Sequence, residues 1–408
     1  MNSDATKTEP PSTAGSRRIE GLDGLRGVAA MVVVLLHSLL LSDSFVTPFA
    51  DPRPTTSPDE AMWWLTHTPL HLPWEGSVAV FVFFVLSGFV LCLPARHSRM
   101  NWRAYYPSRL VRLYIPVWAS VGVALIWIYA LPDLVEGSRF LQIHMDPVPL
   151  GILRDLILIV PAQPGMTNTV LWSLKWEIIF SLLLPLFILF AAKWRRGLAL
   201  KVVFVLALLI VGAYEGPIER PYALGVLFQL PIFALGCLIA FEWDRLTALR
   251  DRLRNPTPVF AWLGVLTVLL ITSYWMVFAL PLSEGVLGLV APMTRVLQVL
   301  GAALLVILVI LSPGLGAALS VRPLRWLGTR SFSLYLVHEP MIVAFGRLLP
   351  ESINPLFLSP IVIVVALGLA EVFFRLVERP SHGLARRVAR RFGSPKTPRP
   401  KVAEVESA

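Results

Sequence analysis

The chain has 408 residues, of which 56% are hydrophobic and only 15% charged, and its formal net charge is +10. This composition lies outside the range of soluble globular domains and predicts a protein whose main solvent is lipid. The positive residues are spread over short segments between apolar runs and one C-terminal tail. The net charge is therefore a membrane-orientation signal and does not indicate nucleic-acid binding. Cys92 and Cys237 both fall inside apolar runs, so we expect buried thiols and no disulfide.

Residues 1–18 are polar, lack the apolar core of a signal peptide, and are expected to form a disordered cytoplasmic N-terminus. We then expect one membrane domain over residues 19–380, an all-α, polytopic membrane helix bundle of about ten transmembrane helices. The apolar runs that predict them cover residues 24–42, 76–94, 113–131, 171–192, 199–214, 221–241, 258–280, 293–312, 331–349 and 356–378. The segment near 148–161 is short and interrupted by prolines, which favours an interfacial or re-entrant position.

Lysine and arginine are distributed unequally between the two alternating sets of loops. One set contains sixteen of them, whereas the other contains only Arg53, Arg139, Arg154 and Arg220. The positive-inside rule then places both termini in the cytoplasm. In the basic tail, residues 381–408, arginines alternate with apolar residues at first, which suits a short helix on an anionic membrane surface. Beyond residue 393 we expect disorder.

The first apolar segment contains Arg26 and His37, separated by ten residues. Eleven helical steps of about 100° place both side chains within ~20° of one face and about 16 Å apart along the axis. An arginine suits a phosphate group, and a histidine suits proton transfer. Alternatively, Arg26 extends to the inner headgroups and His37 bonds a neighbouring helix.

Glu177 is a second ionisable residue within a predicted span, in the sequence L-W-S-L-K-W-E-I-I-F. Counted from the outer end of its helix, it lies at about the same depth as His37, roughly 9 Å by the rise per residue. A carboxylate that contacts an imidazole can orient it for catalysis, so we predict a His37–Glu177 pair. The alternative partner for Glu177 is Lys175 at the membrane interface.

The segment G-T-R-S-F-S-L-Y-L-V-H-E-P places Ser331, Tyr335 and His338 on one helical face, in the inner half of the membrane below His37. These hydrogen-bonding groups either line a substrate passage or form a polar seam between helices. His67 and His71 are four residues apart, a spacing that suits a metal ion when helical. With no further ligands nearby in the sequence, we expect a solvated loop and no metal site.

Two further motifs lie in and after the second predicted span. Ser87 and Gly88 form a small pair at mid-membrane, a pattern more typical of a close helix crossing than of a ligand site. Arg109 and Arg112 lie one turn apart just before the third span. Such a fork suits a pyrophosphate, although arginines are common at inner membrane interfaces.

In their order along the chain, these motifs resemble the acyltransferase 3 family, the bacterial membrane O-acyltransferases. The resemblance covers Arg26 with His37, F-F-V-L-S-G-F, R-L-V-R-L-Y-I-P, W-S-L-K-W-E, L-G-T-R-S-F-S-L-Y-L-V-H-E-P and V-E-R-P. It departs from the family pattern at Ser108, where members often have arginine, and at Ser181, where an aromatic residue is common. Many members of the family carry a fused extracytoplasmic domain, whereas this sequence continues only into its basic tail. We therefore expect the stand-alone form, and the resemblance implies a location in the bacterial plasma membrane.

The resemblance implies transfer of an acyl group, most often acetyl, from acyl-CoA to a hydroxyl of a glycan, glycolipid or related acceptor. The nucleotide end of the donor would bind Arg26, Arg109, Arg112 and Arg325. His37 would act as general base or carry the acyl group, with Glu177 raising its basicity, and we favour the general base. Ser87, Ser331, Tyr335 and His338 would line the acyl passage or stabilise the oxyanion.

The alternative class is a polytopic transporter or exporter without acyl-transfer chemistry. Such proteins also place charges within the membrane, but many of them consist of two related halves with interrupted helices in matching positions. We detect no internal repeat of this kind. The oligomeric state and the identity of the acceptor are not determined by the sequence.

Overall fold

The computed structural model describes residues 20–54, 57–131, 139–142, 148–160, 165, 167–193, 197–214, 222–348 and 354–393. The expected disordered N-terminus, Arg220 and the tail beyond residue 393 lie outside these residues. Within them the fold consists of α-helices and contains no strand, which agrees with the predicted all-α class. The helices are α1 Glu20–Leu39, α2 Asp43–Ala50, α3 Ala61–His67, α4 Gly76–Cys92, α5 Trp102–Ala130, α6 Arg139–Gln142, α7 Pro149–Ile157, α8 Leu171–Ala192, α9 Leu198–Tyr214, α10 Tyr222–Phe241, α11 Trp243–Arg252, α12 Pro256–Phe278, α13 Glu284–Leu311, α14 Pro313–Leu319, α15 Arg322–Leu348, α16 Ser359–Phe373 and α17 Arg379–Gly393. Short 3₁₀-helices cover Pro69–Trp74, Leu93–Arg96 and Pro355–Leu358, and a π-helical turn covers Phe374–Glu378.

Side-chain caps define where several of these helices begin. The carboxylate of Glu75 accepts a hydrogen bond from the backbone N–H of Val78 at the start of α4. Asn101 caps α5 in the same way, and Ser283 caps α13. Each cap satisfies one of the backbone donors that the first turn of a helix leaves unpaired.

The apolar runs predicted as membrane spans are all helical, but fewer of them qualify as spans than expected. In the described part of the chain, seven helices are long and apolar enough to cross a bilayer, or eight if the bent pair of Gly225–Phe241 and Trp243–Arg252 counts as one span. Helix α9 is only 17 residues long, and the start of α15 carries several arginines. The protein is therefore a multi-pass membrane helix bundle, and the predicted count of about ten is not confirmed.

The bundle is organised around α1, α4 and α15. Helix α1 packs along α15 and α4, whereas α4 also packs against α10 and α13. One apolar core lies among α4, α8, α9, α10 and α13, and a second lies among α1, α5, α15 and α16. Large apolar side chains cover the outer surface, and the Trp262 side chain is 74% exposed, as expected for a surface in contact with lipid.

Glycines allow the central helices to approach closely. A Cβ atom on Gly88 of α4 would lie 2.1 Å from the backbone oxygen of Phe233 in α10, and one on Gly236 would lie 2.0 Å from that of Val85. The structure thus supports the helix-crossing interpretation of the Ser87–Gly88 pair. Across the same contact the thiols of Cys92 and Cys237 face each other, both buried and not joined by a disulfide.

The start of the basic tail is a helix that packs against the bundle. Residues 379–393 form α17, which packs along α5, and the side chain of Asn101 donates a hydrogen bond to the backbone oxygen of Gly393 at 3.3 Å. The short helix predicted at the start of the basic tail is therefore confirmed, and the disorder expected beyond residue 393 concerns residues outside the described ranges. Ser381 and Ala385 of this helix are buried, whereas its apolar residues Leu384 and Phe392 are exposed.

Candidate active site

Three cavities lie one after another inside the bundle. The basic cavity encloses about 540 Å³, and its polar lining comprises Asp23, Arg26, Arg112, Thr329, Ser331, Glu378 and His382. The middle cavity encloses about 100 Å³ and is lined by the polar residues Arg26, Ser87, Arg109, Arg112, Ser173, Glu177, Ser331, Tyr335 and Glu378. The histidine cavity encloses about 370 Å³ and is lined by the polar residues His37, Ser77, Thr169, Gln229, Arg295 and Tyr335.

Neighbouring cavities share lining residues, so the three form one series, named the passage here. Arg26, Arg112 and Ser331 line both the basic and the middle cavity, and Tyr335 lines both the middle and the histidine cavity. Arg26 and His37 therefore face the same passage from the two ends of α1, as their spacing predicts. By the helical rise they are about 16 Å apart along the axis.

His37 and His338 form a pair of imidazole rings whose contacts define which nitrogen of His37 is basic. Nδ1 of His338 lies 3.0 Å from the backbone oxygen of Leu334, and because a carbonyl oxygen only accepts, this nitrogen carries the proton. Nε2 of the neutral His338 ring lies 3.1 Å from Nδ1 of His37, which is also 3.0 Å from the Val33 oxygen. In the neutral tautomers that satisfy these contacts, Nδ1 of His37 is the donor in both, and the lone pair of the His37 ring is on Nε2.

The predicted His37–Glu177 pair is wrong, because Glu177 has other partners. A guanidinium nitrogen of Arg109 lies 2.5 Å from Oε1 of Glu177, and the Ser87 hydroxyl donates to the same oxygen at 2.9 Å. The hydroxyl of Ser181 accepts a hydrogen bond from Nε of Arg109 at 3.1 Å. Glu177 therefore neutralises an arginine in the middle cavity and does not orient the histidine.

The four arginines predicted to bind the donor are only partly brought together. Arg26 and Arg112 line the basic and middle cavities, and Arg112 is close enough to Glu378 and Arg109 to interact electrostatically. Arg109 lines only the middle cavity, where its charge is compensated by Glu177. Arg325 lies at the start of α15 and forms a 2.8 Å salt bridge with Glu20, outside the lining of the three cavities.

Of the four residues predicted to line a substrate passage, three line the cavities and one does not. Ser87, Ser331 and Tyr335 do line cavities, and the Tyr335 hydroxyl is 2.7 Å from Oγ of Ser173. His338 lies behind His37, at the same depth and not below it, because the two rings are in contact. His338 does not belong to the lining of the three cavities and contacts the ring of His37 instead.

His67 and His71 are buried, which contradicts the expected solvated loop. The His71 ring packs between those of Trp74 and Trp275, with centroids 3.9 Å and 4.1 Å away. Burial lowers the pKa of His71 to about 3, so the ring is neutral near pH 7. Nδ1 of His67 contacts the backbone oxygen of Trp275 at 3.2 Å. These histidines hold the 3₁₀-helix Pro69–Trp74 against α12.

Three residues that were not predicted as site residues lie close to one another beside the histidine cavity: Arg295, Gln298 and Glu75. The carboxylate of Glu75 accepts hydrogen bonds from Nε2 of Gln298 at 3.2 Å and from the indole N–H of Trp275. A signal for Arg295 was available, since it is an arginine within an apolar run predicted to span the membrane. Ionisable residues in such runs are functional candidates by default.

Comparisons with known proteins identify the family of this fold and site. The Acyl_transf_3 model, described as an acyltransferase domain, matches residues 19–375. The putative peptidoglycan O-acetyltransferase YrhL of Bacillus subtilis is 26% identical over 90% of this chain and 55% of its own length. The peptidoglycan O-acetyltransferase OatA of Listeria monocytogenes is 24% identical over 90% of this chain and 57% of its own. The acyltransferase MdmB of Streptomyces mycarofaciens is 30% identical over 81% of this chain and 80% of its own.

The chain thus spans little more than half the length of the first two relatives. No solved structure is significantly similar to it. The family model covers most of the chain and every lining residue of the three cavities except Glu378 and His382. The chain therefore belongs to the acyltransferase 3 family of membrane O-acyltransferases.

Proposed function

We propose that the protein transfers an acyl group, in the first instance acetyl, from acyl-CoA to a hydroxyl group of a glycan, a glycolipid or a related acceptor. The observation that carries this proposal is the series of three adjacent cavities, which extends from the cavity lined by Arg26 and Arg112 to the cavity lined by His37. Two guanidinium groups at one end suit the phosphates of CoA. The extended pantetheine arm would follow the passage to the histidine cavity.

In this proposal His37 acts as general base. The lone pair on Nε2 takes the proton of the acceptor hydroxyl while the oxygen bonds to the thioester carbonyl carbon. The carbon–sulfur bond then breaks, and the proton passes from Nε2 to the leaving CoA thiolate. His338 accepts a hydrogen bond from Nδ1 of His37 throughout and keeps the basic nitrogen on the cavity side of the ring.

The positive-inside rule supports a cytoplasmic location for the basic cavity, where CoA would be available. The same rule places the histidine cavity toward the outer face of a bacterial plasma membrane. Two of the similar proteins are named as peptidoglycan O-acetyltransferases, one of them as a putative one, and this supports a carbohydrate acceptor. Acetyl transfer would then occur near the outer end of α1, with the donor entering from the opposite side.

The first test measures free CoA released from acetyl-CoA by the purified full-length protein in detergent. We expect His37→Ala to abolish release, whereas His97→Gln, which changes an exposed histidine, retains the wild-type rate. Release that continues in His37→Ala would exclude His37 from the chemistry. Absence of release by the wild type across several acyl-CoA donors would contradict the proposed donor.

A companion variant tests donor binding. Arg26→Gln should raise the KM for acetyl-CoA about tenfold or more, the size of one charge-assisted hydrogen bond to phosphate. The matched control is Arg252→Gln, which removes an exposed arginine of α11. An unchanged KM in Arg26→Gln would contradict the assignment of the phosphates to the basic cavity.

A further inference from the structure

Arg295 is a half-buried arginine on α13 that lines the same cavity as His37. Its guanidinium carbon lies 3.5 Å from the centre of the Tyr274 ring, and one guanidinium nitrogen donates to Oε1 of Gln298 at 3.3 Å. Stacking on an aromatic ring and one hydrogen bond restrict the orientation of the planar group. The guanidinium is therefore held in a fixed position at the cavity wall.

The contacts of Glu75 leave most donors of Arg295 unused. Glu75 interacts electrostatically with Arg295, but its oxygens accept from the backbone N–H of Val78 and from the side chains of Gln298 and Trp275. Among the residues that the structure describes, Arg295 forms no salt bridge with a carboxylate. A guanidinium has five N–H donors, and the recorded contact with Gln298 uses one of them. A charge within a membrane protein is costly unless it has a partner or a function.

Gln229 supplies a second polar group at the same cavity. Its side chain is 5% exposed, and its amide oxygen has no hydrogen-bond partner within the described ranges. A buried amide without a partner costs free energy, roughly 1–3 kcal/mol, unless a ligand completes its hydrogen bonds. Gln229, on α10, and Arg295 thus line the cavity of His37 with one neutral and one charged group that the fold itself does not saturate.

We propose that the histidine cavity is the acceptor site and that Arg295 binds an anionic group of the acceptor, a phosphate or a carboxylate. This inference rests on the proposed function and narrows its acceptor to a negatively charged glycan or glycolipid. Arginine suits both anions because its planar fork matches two oxygens at once. Gln229 bonds a neutral hydroxyl or amide of the same molecule, and the reacting hydroxyl faces Nε2 of His37.

The test compares three sugars that differ in charge: N-acetylglucosamine, N-acetylglucosamine 1-phosphate and N-acetylmuramic acid. Each is titrated against the purified full-length protein, and an apparent Kd is taken from the rise in melting temperature, which needs no turnover. We expect the wild type to bind at least one anionic sugar about tenfold or more tightly than the neutral sugar. The preferred anion then distinguishes a phosphate site from a carboxylate site.

Variants assign the preference to Arg295. Arg295→Gln should abolish the difference between charged and neutral sugars, Arg295→Lys should retain part of it, and the control Arg252→Gln should retain all of it. Gln229→Leu should weaken the binding of all three sugars to the same extent. Equal affinities in the wild type, a preference that survives in Arg295→Gln, or binding of none of the sugars would overturn the inference. Failure of the proposed function can be distinguished from failure of this inference, because the proposed function is tested by CoA release and the inference by sugar binding.

Discussion

At the scale of single residues, the site depends on which nitrogen of His37 holds the proton. The backbone oxygens of Val33 and Leu334 each lie 3.0 Å from an Nδ1 atom, and a carbonyl oxygen can only accept. With both rings neutral, Nε2 of His338 accepts from Nδ1–H of His37, and the lone pair of His37 is on Nε2. In the proposed mechanism His338 is therefore a positioning residue, with the part that a carboxylate has in many histidine-based sites.

The first prediction concerns this positioning role. His338→Leu removes the acceptor for Nδ1–H of His37 and should lower kcat about 10–100-fold, the range found when partners of functional histidines are lost. The KM for acetyl-CoA should not change, because His338 is remote from the basic cavity. His338→Gln, which keeps an acceptor oxygen, should recover part of the activity. Full kcat in a folded His338→Leu protein would contradict the tautomer assignment.

At the scale of elements, glycines decide how closely the central helices pack. Gly24 and Gly328 lie at the contact of α1 with α14 and α15, and a Cβ on either would overlap a backbone oxygen. Gly88 and Gly236 have the same function between α4 and α10. Since lipid removes the hydrophobic driving force between helices, close backbone packing is a main source of stability in such a bundle.

The second prediction tests this close packing. Gly88→Ala places a methyl group 2.1 Å from the backbone oxygen of Phe233, so α4 and α10 must separate. We expect a loss of about 1–3 kcal/mol, typical of an overpacked core, and a lower melting temperature in detergent. Gly264→Ala is the matched control, because a Cβ there has no neighbour within 4 Å. Equal melting temperatures for the two variants would show that the crossing tolerates more space than its geometry indicates.

At the scale of the whole molecule, the passage separates two binding functions by most of the length of α1. Arg26 and Arg112 lie at one end, whereas His37, Gln229 and Arg295 lie at the other. Tyr335 lies where the middle and histidine cavities meet, since it lines both of them. Donor and acceptor would therefore approach the reacting atoms from opposite ends of the bundle.

The third prediction uses this separation. Ser331 lines both the basic and the middle cavity, and among the described residues its hydroxyl donates to the backbone oxygen of Gly328 in the same helix, at 2.9 Å. Ser331→Trp should obstruct the passage and lower CoA release by about 100-fold, as expected when a reacting group is misplaced. Sugar-induced stabilisation, which reports the histidine cavity, should persist. Ser331→Ala is the control and should behave as the wild type, while unaltered release by Ser331→Trp would place the donor elsewhere.

The sequence by itself determined the class of protein, the positions of the helical segments, the family, and Arg26 and His37 as residues of one helical face. The class, the segments and the shared face follow from composition and from spacing along a single helix, both of which are local, whereas the family rests on the resemblance of several motifs in their order along the chain. Tertiary structure decided the partners: His338 for His37, Arg109 for Glu177, and the arrival of Arg295 at the histidine cavity. Spacing along a helix gives the depth of a residue, but contact between helices also depends on their rotation and on close crossings at glycines. Residues of equal predicted depth, such as His37 and Glu177, can therefore face different neighbours.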